Sequence, residues 1–466
     1  MISRLLLLGA TGDLAGRFLL PALARLSADG RMPDSLQVVG GASQDWDDRT
    51  FRSHVAARLQ QHAGDVPTEV RDALVDRLRY RAVDPGEPGT VAAAVRAFED
   101  GGGAADRAAV AVYLALPPAL FPAMLDALGG ADLPPGSRVA VEKPFGTDLA
   151  SAVALNELLM RVTGGVEKAA FRVDHFLGMP TVQALLDLHA PGRSLAPVWN
   201  SAAIAQVDVL WEETLGLEGR ADFYDRTGAV RDVLQNHMLQ VLTLVAMELP
   251  ARPTEAELHA AKLELLRSVR VLSAAEVPVR TRRGRYTAGT LSAAGVPGGR
   301  TVPGYTDEDG VDPARGTETY AELHLELDTP RWTGTRFVLR TGKAMGTLRK
   351  GVGLHFRAAA PACDPGDAEQ VAADHLWIEL DAPQNGREPG AQVAAPGERT
   401  AYGHVLTDLL SRSSRLSVSG EEAEQAWRIV DPVLQAWAHN AVPMLEYPAG
   451  AAGPPPLDDI ARPSRW

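Results

Sequence analysis

Cysteine is almost absent from this sequence: Cys363 stands alone among 466 residues. A lone thiol cannot close an internal disulfide, and it excludes metal clusters built on thiolates. The compartment expected for such a chain is the reducing cytoplasm. Positive charge is also scarce, with 46 Lys and Arg against 59 Asp and Glu and a net charge of −13. Nucleic acid and anionic membranes need a basic face, so neither is an expected partner. A small anionic ligand needs only local positive charge and stays open. Long apolar runs are missing. Leu5-Leu6-Leu7-Leu8 is far too short for a membrane span or a signal-peptide core. There is no repeat or low-complexity segment of note.

What is present suits a folded globular protein, with 45% hydrophobic and 23% charged residues. The length exceeds one ordinary core, so two domains are expected. Residues 2–8 read as a buried parallel strand and run straight into Gly9-Ala10-Thr11-Gly12-Asp13-Leu14-Ala15. A helix should follow through Arg17, Leu20 and Leu23 to Leu26 and end near Gly30. Strand, Gly-rich turn and helix open a dinucleotide fold, in which the turn cradles the pyrophosphate. Gly9 permits the tight turn, Gly12 lets backbone approach the phosphates, and Ala15 lets helix and strand pack closely. A second strand is expected over 36–40, a third apolar one ends at Leu116-Pro117-Pro118, and another runs into Glu142-Lys143-Pro144-Phe145-Gly146. Lys143, at the carboxyl end of a parallel strand, faces the ligand crevice.

Beyond residue 170 the alternation of strand and helix lapses. Segments 203–211 and 320–327 alternate apolar and polar residues, the pattern of an antiparallel sheet with one covered face. Segments 337–339 and 376–380 add strands. The Gly-, Pro- and Arg-rich span 282–315 reads as long loops. Leu234, Met238, Val241 and Val245 form a helical stripe, with His237 beside it. A lone His there is ordinarily structural. The fold class expected is a Rossmann-type α/β domain plus an α+β domain with a large antiparallel sheet.

The segment Arg172-Val173-Asp174-His175-Phe176-Leu177-Gly178 sets an ionisable pair between apolar flanks. Such a pair is costly unless partnered. It reads either as a functional site or as a polar pair at a strand end. Its spelling resembles Arg-Ile-Asp-His-Tyr-Leu-Gly-Lys, the signature of glucose-6-phosphate dehydrogenases. Gly9 to Ala15 resembles that family's Gly-Ala-Ser-Gly-Asp-Leu-Ala. Glu142 to Gly146 matches its Glu-Lys-Pro-Phe-Gly, and Arg231-Asp232-Val233-Leu234-Gln235-Asn236-His237 resembles its Arg-Asp-Val-Met-Gln-Asn-His. Leu339-Arg340-Thr341-Gly342-Lys343 is similar to its Leu-Arg-x-Gly-Lys. Gly304-Tyr305, residues 313–316 and residues 425–432 match as well, the last with Gln425 for Glu.

The resemblance implies oxidation of a hexose C1 hydroxyl to a lactone, with hydride passed to NADP or NAD and no metal required. It implies His237 as general base and Asp174 as the carboxylate that orients it. It implies Lys143, His175, Glu213, Asp232 and Lys343 at the sugar, and Gly9, Thr11, Gly12, Asp13, Leu14, Ser43, Leu116, Pro117 and Lys143 at the cofactor. The chemistry supports the base, since an imidazole with an ordinary pKa of about 6.5 suits proton abstraction at neutral pH. Residues 1–168 are then the dinucleotide-binding domain and 169–466 the substrate-binding and dimerisation domain. The expected assembly is a homodimer or homotetramer.

The resemblance is broken in two places. The family's Gly-x-Ala-Arg, whose Arg accepts the 2′-phosphate of NADP, is Gly40-Gly41-Ala42-Ser43 here. Ser43, Gln44, Arg49 and Arg52 are candidate phosphate partners, whereas Asp45 and Asp47 favour NAD. The balance is a modest preference for NADP. The second break is at the sugar phosphate, where Phe176 replaces Tyr, Met179 replaces Lys and Phe18 replaces a further Lys. Losing the Tyr and Lys donors should weaken phosphate binding by about 2–5 kcal/mol, roughly 30- to several-thousand-fold. Arg17, Arg172 and Lys350 are candidates to compensate. Three readings stand: oxidation of glucose 6-phosphate, the same reaction on an unphosphorylated or differently substituted sugar, and a non-catalytic paralogue that binds a nucleotide or a partner subunit.

Overall fold

A computed structural model of the chain describes residues 1–33, 35–98, 108–293, 296–357, 375–380 and 401–455. Cys363 lies outside the described residues. The chain folds into two compact units. The first comprises Met1–Pro180, Thr254–His259 and Ala394–Ala423, and the second comprises Thr181–Pro253, Ala260–Val393 and Glu424–Trp466.

The first unit is built on a seven-stranded sheet. Its strands are β1 (Arg4–Leu8), β2 (Gln37–Ala42), β3 (Leu78–Ala82), β4 (Ala111–Leu114), β5 (Arg138–Glu142), β6 (Ala170–Val173) and the short β15 (Ser417–Val418). The spatial order is β15-β6-β5-β4-β1-β2-β3, with every pair parallel except β15 on β6. Every residue of β4, β5 and β6 is buried, as expected of parallel strands covered on both faces. Helices alternate with the strands, as the Rossmann reading requires. The first begins as a π-helical turn, Ala15–Leu19, and continues as α-helix Leu20–Ala28.

The second unit holds β7 (Ile204–Glu212), β8 (Thr281–Thr287), β9 (Gly289–Ala293), β10 (Val296–Val302), β11 (Tyr320–Leu325), β12 (Arg336–Gly342), β13 (Arg349–Phe356), β14 (His375–Glu379) and β16 (Met444–Pro448). Seven of these form one sheet, ordered β14-β13-β7-β12-β11-β8-β16, while β9 and β10 pair as a hairpin. The sheet is mostly antiparallel, with parallel pairs at β7/β12 and β8/β16.

Two sequence expectations fail here. Span 282–315 is not a run of loops, because it contributes most of β8 and both strands of the hairpin. Its arginines mislead because they are partnered inside the sheet. Arg282 pairs with Glu322, and Arg283 donates to the Val442 carbonyl at 2.9 Å. Nor does the alternation in β7 and β11 mark a solvated face, since every residue of β11 is buried, Glu322 and His324 included. The polar face is instead a row of alternating charge. Arg349, Glu212, Arg340, Glu322 and Arg282 come from five neighbouring strands, β13, β7, β12, β11 and β8. Register sets Arg349 opposite Glu212, and Glu322 opposite both Arg340 and Arg282. The side chain of Glu212 is fully buried and pairs with Arg340 at 2.7 Å and with Arg349. Burial opposes charge on Glu322, yet hydrogen bonds from His324 and Arg282 hold its carboxyl well below the usual range. Each carboxylate is flanked by cations, which offsets its desolvation.

Removing one member should cost more than the pair is worth, because its partners stay buried. Glu212→Gln is expected to lower unfolding stability by about 3–5 kcal/mol. Urea titration of the variant tests this, and a loss below about 1 kcal/mol, the scale of an exposed pair, would show the row to be solvated.

Candidate active site

In the first unit the Gly-rich turn follows directly from β1. Gly9 has φ +85°, and a Cβ there would lie 2.2 Å from the Ala115 carbonyl oxygen at the end of β4. Only glycine tolerates both conditions. The turn is closed by Gly12 N–H donating to the Gly9 carbonyl at 3.0 Å and tied to β2 by Gly9 N–H donating to Gly41 at 2.7 Å. Thr11 Oγ1 donates to Gln44 Oε1 at 3.0 Å, bridging the turn to the end of β2. Asp13 is committed to arginines, with Arg58 at 2.9 Å and Arg17 at 3.1 Å. Ala15 is fully buried and Leu14 half-buried.

Strand direction gathers the remaining cofactor candidates. Ser43 follows β2, Leu116 and Pro117 follow β4, and Lys143 follows β5, so all stand at the carboxyl edge with the Gly-rich turn. Ser43 is exposed there. Arg52 does not join them. Its Nε donates to the carbonyl of Leu78, the first residue of β3, at 2.9 Å, so it sits at the opposite edge of the sheet. A glycine turn leading into a helix amino terminus at this edge fits a dinucleotide pyrophosphate.

The Asp-His segment follows β6. Asp174 is fully buried, and its Oδ1 accepts from the Phe176 N–H at 3.0 Å, capping the 3₁₀ turn His175–Gly178. His175 stacks on Tyr402 with ring centroids 5.3 Å apart and planes 13° apart, and meets Phe176 edge-on. Tyr402 opens the helix Ala401–Ser411. That helix lies so close that a Cβ on Gly178 would be 2.4 Å from the Ala401 carbonyl oxygen. His404 Nδ1 donates to the Gly178 carbonyl at 2.6 Å. Phe176 is buried, Met179 half-buried, and the exposed Phe18 ring lies 5.4 Å from Tyr402. Arg172 is not a spare cation, because its guanidinium is buried on Asn156 and Glu167, both at 2.8 Å.

Sequence reasoning overlooked Glu142. Its carboxyl is buried beside Lys143 and accepts from the Tyr113 hydroxyl at 2.5 Å. Burial pushes it up to about 7, against the pull of the Tyr113 hydrogen bond and the Lys143 charge. The available signal was one acid closing the apolar run Val139-Ala140-Val141. Tyr402 had no local signal, since only the fold brings it to His175.

In the second unit Glu213 follows β7 and Lys343 follows β12, and the two form an ion pair at 2.7 Å. Lys343 Nζ also lies 5.1 Å from the Tyr224 ring centroid, and the negative charge of Asp232 acts on that tyrosine. Three of the candidate sugar ligands therefore share one neighbourhood. Lys350 is held over the Trp211 ring at 4.6 Å. His237 is buried in Val230–Met238, which is π-helical rather than the regular helix its periodicity suggests. The Glu318 carboxylate accepts from the first N–H of that helix, Val230, at 3.0 Å. π-turns recur at functional sites because they shift side chains off the regular helical stripe.

The NAD-binding-domain model of glucose-6-phosphate dehydrogenase matches residues 6–184, and the C-terminal-domain model matches residues 191–466. The chain belongs to the glucose-6-phosphate dehydrogenase family. It is 35% identical to glucose-6-phosphate 1-dehydrogenase 2 of Mycobacterium tuberculosis, covering 97% of this chain and 91% of that one. It is likewise 35% identical to the Mycolicibacterium smegmatis glucose-6-phosphate 1-dehydrogenase, covering 96% and 93%. Among solved structures, a glucose-6-phosphate dehydrogenase in complex with its substrate superposes with a TM-score of 0.81 at 26% identity, covering 97% of this chain and 96% of that one. The Mycobacterium avium enzyme gives 0.77 at 31% identity over the same shares. Members of this family bind their dinucleotide through the first domain. No helix among the described residues is long and apolar enough to cross a membrane.

The raised pKa of Glu142 has a consequence for stability. The folded protein holds this proton more tightly than the unfolded chain, where the ordinary value is 4.5. The stabilisation is complete below about pH 4.5 and lost as pH rises through about 7. Glu142→Gln cannot ionise, so from about pH 5 to about pH 9 it should gain on the native protein by up to about 3 kcal/mol. Unfolding midpoints across that range measure the gain, and a pH-independent difference would refute the assignment.

Proposed function

We propose that this protein is an oxidoreductase that oxidises the C1 hydroxyl of glucose 6-phosphate to the lactone, with hydride transfer to NADP or NAD. The observation that carries the reading is the retained set Lys143, Asp174, His237 and Lys343 in a chain matched nearly end to end by both family models. Residues 1–168 carry the cofactor functions, and residues 169–466 carry the sugar and subunit contacts, as a homodimer or homotetramer.

His237 accepts the proton of the C1 hydroxyl. Asp174 holds the imidazole in the required tautomer and stabilises the imidazolium that forms. Being fully buried, it does so in a medium where the attraction is weakly screened. The dinucleotide, when bound, supplies the hydride acceptor. Gly9, Thr11, Gly12, Asp13 and Leu14 form its pyrophosphate turn, and Ser43, Leu116 and Pro117 flank it. Lys143 serves both substrate and cofactor. Glu213, Asp232 and Lys343 bind sugar hydroxyls, and the Glu213–Lys343 ion pair holds both side chains in place. His175 binds the phosphate. For the cofactor we propose a modest preference for NADP, carried by Ser43, Gln44 and Arg49. With Arg52 turned away, the 2′-phosphate has lost one candidate partner.

Cofactor reduction measured with glucose 6-phosphate and free glucose, each with NADP and NAD, tests the reading. Glucose 6-phosphate should be preferred by orders of magnitude in kcat/KM. His237→Asn should lower kcat by about 10²- to 10⁴-fold with cofactor binding intact. Equal rates on free glucose, or an active variant, would overturn the assignment. Restoring the missing cation with Met179→Lys should lower KM for glucose 6-phosphate by about 10- to 100-fold. An unchanged KM would mean the phosphate is held away from Met179.

A further inference from the structure

The loop after β2 carries a tryptophan that the mechanism above does not use. Trp46 stands three residues beyond Ser43, where the Arg of Gly-x-Ala-Arg is missing, and leads into the helix Asp48–His62. Its backbone is held on both sides. The Tyr80 hydroxyl lies 3.0 Å from the Ala42 carbonyl and 2.7 Å from that of Gln44, so its one proton ties β3 to the loop. The Trp46 N–H donates to the same Gln44 carbonyl at 3.0 Å. The Gln44 side chain accepts from Thr11 in the Gly-rich turn, also at 3.0 Å. On the other side Asp47 caps the helix by accepting from the Thr50 N–H at 2.7 Å.

The indole is backed by further rings. The His54 centroid lies 5.3 Å away and that of Tyr80 6.1 Å, and Tyr80 rests in turn on the fully buried Phe51 at 5.1 Å. Burial, and then the Arg58 charge, push the His54 imidazole below its ordinary value, so it backs the indole as a neutral ring. Trp46 is nevertheless only half-buried. Part of a rigidly mounted indole therefore faces solvent beside the Gly-rich turn.

The charge around it is negative. Asp45 and Asp47 are exposed and Asp48 is half-buried, against one exposed arginine, Arg49. Ser43 and Gln44 bring hydrogen-bonding groups without charge. In a dinucleotide fold the end of the second strand meets the adenosine half of the cofactor. A 2′-phosphate meets one arginine among three carboxylates there. An adenine base presents the same π-face whatever its ribose carries, and it meets an indole.

We propose that Trp46 is the adenine platform of this chain, stacking on the base of NADP and NAD alike and supplying the affinity for the adenosine half that the missing Arg cannot. Ser43, Gln44 and Arg49 then set only the small difference between the two cofactors. The proposal rests on the reading of the first unit as the dinucleotide-binding domain. It accounts for the mounting of the ring, since a side chain already fixed loses little freedom on binding.

The test is equilibrium binding to the full-length protein without sugar, using NADP, NAD and AMP, which carries the adenosine half alone. Trp46→Leu keeps an apolar side chain against His54 and Tyr80 but removes the stack. It should raise Kd for all three by one common factor, about 5- to 100-fold. Trp46→Phe keeps a ring and should lie between Trp46→Leu and the native protein. Saturating AMP should quench a share of the native tryptophan fluorescence that Trp46→Phe lacks. KM for glucose 6-phosphate at saturating cofactor should change less than about twofold in both variants. If the native protein binds none of the three, the dinucleotide reading fails and the platform with it. If the native protein binds them and Trp46→Leu binds equally well, or if Trp46→Phe loses as much as Trp46→Leu, the platform is overturned and Trp46 only packs the loop. A loss confined to NADP would also overturn it, by placing the ring at the 2′-phosphate. So would an equal quench in the native protein and Trp46→Phe.

Discussion

In a parallel sheet every strand releases its following loop at the same edge, and the first unit depends on that constraint. The Gly-rich turn after β1, Ser43 after β2, Leu116 after β4, Lys143 after β5 and Asp174 after β6 were scattered over 166 positions of sequence, from Gly9 to Asp174. Parallel pairing alone brings them to one line. What pairing does not supply is close approach. That comes from particular backbone contacts, such as Gly9 against Ala115 and Gly178 against Ala401, where any side chain would collide with a carbonyl. The edge is thus assembled by topology and tightened by two glycines.

The second sheet meets a different problem. It buries its polar face as well as its apolar one, and the desolvation of so many charges is unfavourable on its own. Alternation across strands meets the cost. Each of Glu212 and Glu322 touches two arginines from neighbouring strands, so no carboxylate is left to a single partner. Such a row also resists register slips. A one-residue shift would turn every charge to the apolar face, which makes register far more costly to break than in an apolar sheet. The same ordering reaches the proposed sugar site, because Glu213 and Lys343 directly follow β7 and β12.

Much of this was legible in the residues. Buried strands β1, β4 and β5 announced themselves as apolar runs closed by Gly or Pro, and the motifs fall together at the carboxyl edge of the first sheet. The failures share a cause. Span 282–315 looked like loop because Arg and Gly are poor strand formers, and propensity cannot see that Glu322 and Val442 wait across the sheet. β7 and β11 looked half-solvated because alternation reports chemistry and not exposure. The π-helical stretch Val230–Met238 was not readable, since the apolar residues Leu234, Met238, Val241 and Val245 fit a regular helical stripe. Tyr402 was invisible for a simpler reason: it follows His175 by 227 positions and carries no motif.

The replaced phosphate donors are best weighed by magnitude. Loss of the Tyr hydroxyl and the Lys ammonium removes about 2–5 kcal/mol of interaction with a phosphate. On the proposed function, that loss falls on binding elsewhere along the sugar, where the proposed ligands Glu213, Asp232 and Lys343 are retained. Binding energy collected at the hydroxyls contributes equally before and during hydride transfer, whereas the chemical step depends on the proton acceptor. On the proposed function, the substitutions at Phe18, Phe176 and Met179 therefore bear on affinity for the phosphorylated end, and they leave His237 and Asp174, the proposed base and its carboxylate, chemically intact.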